Sequence, residues 1–176
     1  MTDLNILVSP REIKDQIERA SRVIQCEASV AARLADDITF CEINYGEGIF
    51  SWLQLASSGA EAINKILKNA FLLEIPTDQK QIDACWDSPI PFALLARSLH
   101  LQEIYGVSWS CQTDAISGNT SISSVHLKFD NSFTPSSNQK MLDALSNGVE
   151  VSSNEWNELN RIAAEFLLSE ETLDAC

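Results

Sequence analysis

Val107-Ser108-Trp109-Ser110-Cys111-Gln112 alternates apolar with polar residues, and Ser124-Val125-His126-Leu127-Lys128-Phe129 repeats the alternation with the polar residue first. A period of two sends successive side chains to opposite faces, as in a sheet with one dry and one wet side. Ser117-Gly118-Asn119 between the two runs suits the connection of an antiparallel hairpin. Helical patterning surrounds the pair on both sides, so these two runs decide the class: α+β rather than a helical bundle.

Toward the N-terminus, Ser88-Pro89 reads as the cap of a helix from Ile90 to about Glu103. Its Phe92, Leu94, Leu95, Ala96, Leu99 and Leu101 go nearly all round the cylinder, which predicts heavy burial. Phe71 to Ile75 and Gln81 to Trp86 are short runs bounded by Pro76-Thr77-Asp78 and Asp87-Ser88-Pro89, as strands joined by a turn would be. The middle of the chain thus predicts a small, mostly antiparallel four-stranded sheet with helices on one face.

The flanks are helical. Ser9-Pro10-Arg11-Glu12 is a capping box with proline at the first helical position, and Val8 and Ile13 stand where a hydrophobic staple requires them. Ile13, Ile17, Ala20 and Ile24 continue an apolar stripe at helical spacing. A second helix is predicted from Ala28 to about Ile43, ended by Tyr45-Gly46-Glu47-Gly48, and two shorter ones over Phe50 to Ser57 and Ala60 to Ala70. Beyond the hairpin, Asn131 to Gln139 reads as a polar loop. Ser152-Ser153-Asn154-Glu155 is a second capping box, stapled by Val151 and Trp156, and opens a closing helix with Leu159, Ile162, Ala163 and Phe166 on one face.

A chain of 176 residues with 45% apolar side chains supports one core, so residues 1–176 are expected to form a single domain. The formal net charge of −13 is spread along the chain. No basic stripe is available to displace counterions from phosphates, so neither nucleic acid nor an anionic membrane surface is an expected partner. No apolar run has the length of a membrane span, and five widely spaced cysteines without a Cys-x-x-Cys pair fit reduced thiols in the cytoplasm.

Chemistry-bearing motifs are scarce. The two histidines, His100 and His126, limit acid-base and metal schemes, and a zinc site from scattered Cys85, Cys111 and His126 lacks any ligand spacing. Gly46-Glu47-Gly48 lacks the third glycine and the lysine of a phosphate loop. No cofactor and no metal are therefore expected. Asp36-Asp37 are adjacent, so on a helix they diverge by about a hundred degrees, and Arg33 stands four before Asp37 as a surface partner. The most site-like place is the junction at Asp87 and Ser88, where a strand enters a helix whose far end carries His100, three residues before Glu103. Asp87, Ser88 and His100 are the candidate catalytic residues.

The opening Ser9-Pro10-Arg11-Glu12 with its Ala-rich helix pair, the middle Pro89-Ile90-Pro91-Phe92-Ala93-Leu94-Leu95, and Gly148-Val149-Glu150-Val151 before Trp156 and Ile162-Ala163-Ala164 resemble an uncharacterised bacterial family of unknown function. The resemblance implies no activity and no site residues. Four tryptophans and strong helix faces without a convergent set of nucleophile, base and anion stabiliser predict a non-catalytic binding or accessory subunit, as a homo-oligomer or with a protein partner. The alternative is a small-molecule enzyme with its site near Asp87 and Ser88.

Overall fold

The computed structural model describes residues 4–70, 73, 81–129 and 138–173. A first strand, β1 (Asn5–Val8), leads into four helices: α1 (Pro10–Val23), α2 (Ala28–Tyr45), α3 (Gly48–Ala56) and α4 (Gly59–Ala70). β2 (Gln81–Pro91) runs through a single 3-10 turn (Phe92–Leu94) into α5 (Ala96–Ile104). β3 (Val107–Cys111), β4 (Ser121–Phe129), α6 (Gln139–Asn147), β5 (Val149–Ser152) and α7 (Ser153–Leu173) complete the order. The class is α+β, as the alternation predicts.

Both helices start on the serine cap that the sequence places there, and at α1 the full capping box forms. At α1 the Ser9 Oγ accepts from the Glu12 amide at 3.2 Å while the Glu12 carboxylate accepts from the Ser9 amide at 3.0 Å. At α7 the Glu155 amide donates to Ser152 Oγ at 3.4 Å. The stripe of α1 packs against both α2 and α7, and Ile13, Ile17, Leu34, Ile38 and Trp52 are fully buried. Each such side chain contributes roughly 1.5–3 kcal/mol on leaving water.

The strands divide differently from expectation. Among the described residues, instead of one four-stranded sheet there are two sheets: a ribbon of β1 with β5, and a three-stranded antiparallel sheet in the order β2-β4-β3. The ribbon pairs Val8 with Val149 and Ile6 with Val151. Val8 and Val151, which precede the caps of α1 and α7, thus belong to one small ribbon, and the two helices leave from its opposite ends. The expected hairpin is present as β3 with β4, pairing Val107 with Phe129 and Cys111 with Val125. Apart from Leu73, the expected strand Phe71 to Ile75 lies outside the described residues, as does the loop from Asn131 to residue 137.

Ser88-Pro89 caps no helix. β2 continues through it: Cys85 pairs with Ser124 and Ile90 with Ile122, so residues 86–89 oppose the single residue Ser123 in a pronounced bulge. The free amides at the start of the following turn are met from elsewhere, Phe92 by the Thr120 carbonyl at 2.8 Å and Ala93 by the Gly118 carbonyl at 3.0 Å. With its ladder still paired at Pro91, the chain can turn helical only after it, and α5 begins at Ala96. Gly118 also donates its amide to the Gly46 carbonyl at 2.9 Å, and a Cβ there would lie 2.6 Å from the Glu47 carbonyl oxygen. Only glycine allows this loop to touch the turn between α2 and α3.

Candidate functional site

The sequence candidates fall into two separate groups. Asp87 and Ser88 are exposed on the β2 bulge, whereas the bulge's Trp86 is buried and donates its Nε1 to the Asn69 carbonyl at 3.0 Å. His100 lies half-buried on α5, with its ring centroid 5.1 Å from that of Phe40 and its Nδ1 3.4 Å from Glu103 Oε2. The other Glu103 oxygen accepts from Trp109 Nε1 at 2.7 Å. The structure joins His100 to Glu103 and Trp109, and forms no hydrogen bond or ion pair from it to Asp87 or Ser88. His126, on the wet side of β4, holds Asp83 of β2 at 2.6 Å from its Nδ1. Among the described residues no three of His, Cys, Asp and Glu gather as metal ligands would.

Asp37 is not a surface residue. Its side chain is fully buried, and its carboxylate accepts from Arg33 Nε at 3.2 Å and Arg97 Nε at 2.6 Å. Burial pushes the Asp37 carboxyl above its ordinary range, while the two guanidiniums pull it back. Asp36 diverges as helical geometry requires and pairs with Lys14 at 2.6 Å. A second buried carboxylate, Glu42, reaches from α2 to the start of α3, where the Ile49 amide donates to it at 2.7 Å. It stands in for the missing cap of α3, and burial raises its carboxyl as well.

Arg33 and Arg97 each line a different cleft. Arg33 borders one of about 410 Å³ between α2 and α4, with Glu27, Asn64 and Lys68. Arg97 borders an open groove of about 480 Å³ lined from α1, α2, α5 and α6. The second cleft has an apolar lining of Phe40, Ile43, Met141 and Leu145, three cations in Arg11, Lys14 and Arg97, and one acid, Asp36. Thr39 also lines it, with a side-chain oxygen that is buried and makes no hydrogen bond within the protein. No single stretch of sequence marks this place, because its residues come from four helices.

The three-stranded sheet has two unlike edges. β2 carries Asp83, Asp87, Pro89 and Pro91 together with the bulge. β3 is the regular five-residue run Val-Ser-Trp-Ser-Cys without charge, proline or bulge, and among the described residues its outer side pairs with no strand. Ile104, Tyr105 and Phe129, all exposed, flank its start. No described helix is long and apolar enough to cross a membrane. Comparison with protein-family models, with curated proteins and with solved structures finds no match to the chain.

Proposed function

We propose that the chain is a non-catalytic accessory subunit that pairs with a second copy of itself along β3. The contrast between the two sheet edges carries this reading. Edge strands are ordinarily blunted by charge, proline or bulges, because their free amides and carbonyls template further pairing. β2 has all three devices and β3 has none. Two copies of β3, antiparallel about a two-fold axis, would join the sheets and cover Tyr105 and its neighbours by the same symmetric contact on each side. The four described cysteines are free thiols, which supports a cytoplasmic setting.

Each copy carries a net charge of −13, so repulsion opposes the pairing and salt relieves it. Sedimentation equilibrium of the full chain should show a dimer that tightens as salt is raised. Ser110→Lys, at an exposed position of β3, should shift it to monomer without changing the helical circular dichroism. A strict monomer at high protein and high salt overturns the reading.

A further inference from the structure

Of the nine residues of α6, Ala144 alone is buried and Met141 half-buried; the other seven are exposed. A helix ordinarily turns its apolar residues inward, yet Leu142 and Leu145 are 57% and 65% exposed. Nine residues are too few for a helix to hold itself in water, so α6 depends on what it touches. It rests on α2, which by contrast buries eight of its eighteen residues.

Two features hold α6 down. At its C-terminal end Gly148 takes φ +85° and donates its amide to the Ala144 carbonyl at 2.9 Å, and the next residue, Val149, is buried and paired with Val8 in the ribbon. Among the described residues, one side-chain hydrogen bond joins α6 to another element: the exposed Lys140 donates its Nζ to the Asn44 carbonyl at 2.6 Å. That carbonyl lies in the last turn of α2, where the helix itself supplies it no amide.

We infer that α6 is a hinged strap, which comes away from α2 as one unit about Gly148, and unwinds, while the rest of the chain stays folded. The burial of one alanine and part of a methionine, with the Lys140 bond, is set against the conformational freedom that all nine residues regain. Met141 and Leu145 form one wall of the groove whose other side includes Phe40 and Ile43 of α2, so opening bares those two side chains. This inference does not depend on pairing along β3.

The test is native-state hydrogen exchange of the full chain in rising, sub-denaturing urea. The amides of Ala144, Leu145 and Ser146 should exchange at least about a hundredfold faster than that of Leu34 in α2, at one common opening constant and with little dependence on urea, because a small opening exposes little surface. Lys140→Met keeps the aliphatic stem and removes the donor. It should speed exchange in α6 about fivefold, the worth of one hydrogen bond, and leave Leu34 unchanged. The comparison within the parent chain decides the matter even if that variant fails to fold. Protection of the α6 amides equal to that of Leu34 with the same urea slope, or unchanged α6 exchange in a folded Lys140→Met protein, overturns the inference.

Discussion

The Asp37 carboxylate receives Arg97 Nε at 2.6 Å across 60 positions of chain, so a buried charge on α2 holds α5 in place. Arg33, one turn earlier on α2, bonds the other oxygen at 3.2 Å. Removing the acid takes a shared buried partner from two guanidiniums, of which Arg97 is part-exposed and can find water. Asp37→Ala is therefore expected to cost about 3 kcal/mol, the low end for a broken buried pair. Combined with Arg97→Ala in a double-mutant cycle under urea, it should give a coupling of at least about 1 kcal/mol. Additive effects would mean that the contact does not hold α5.

Glu42 makes stability depend on pH in an unusual direction. Burial raises its carboxyl above the ordinary 4.5, although the Ile49 and Gly48 amides pull the other way. Between the ordinary and the raised value the folded chain keeps a proton that the unfolded chain releases. Stability therefore falls as pH rises through that window, and the loss is complete above the raised value. Glu42→Gln retains an acceptor for the Ile49 amide but cannot titrate. The stability difference between Glu42→Gln and the parent chain should shift in favour of the glutamine variant as pH rises through the window, measured by urea unfolding. A difference that does not change with pH would refute the assignment.

Thr39 and Ser51 both bury a hydroxyl oxygen that makes no hydrogen bond within the protein. Thr39→Val and Ser51→Ala should each raise stability by about 1 kcal/mol, because the desolvation penalty goes with the oxygen. Calorimetric midpoints of the two variants check this.

Thiol reactivity should follow burial. Cys85 is exposed and Cys111 half-buried, whereas Cys26 and Cys41 are buried. Burial and the nearby acids Glu42, Asp37 and Glu47 push the Cys41 thiol far up, and burial raises Cys26. In a Cys176→Ser chain, a disulfide reagent at neutral pH should label Cys85 first and reach Cys26 and Cys41 only with denaturant. Labelling of Cys41 in the native chain would contradict the packing.

Much of the fold is legible because it is local. Ser9 and Glu12 announce α1 within one turn, and Val107 to Gln112 shows its period without reference to anything else. β1 and β5 are hidden because four residues hold too little alternation, and Val8 and Val151 serve equally well as helix staples. Ser88-Pro89 misleads because a proline after serine fits a strand bulge as well as a helix start; the carbonyls of Gly118 and Thr120 that settle the matter are distant in sequence. Asp37 shows the same limit. Arg33 at helical spacing implies an exposed pair, and only the approach of Arg97 reveals that the carboxylate is enclosed. The cleft at Thr39 depends on four helices meeting, which no single stretch of the chain encodes.

The bond from the Gly118 amide to the Gly46 carbonyl ties the loop before β4 to the turn that starts α3. Lifting that loop also frees Ala93 from Gly118 and parts Ser117 from Glu47. The loop cannot lift from the turn without losing these bonds together, so native-state exchange at the amides of Gly118 and Ala93 should proceed as one event. Any larger residue at position 118 would leave the two halves able to open separately.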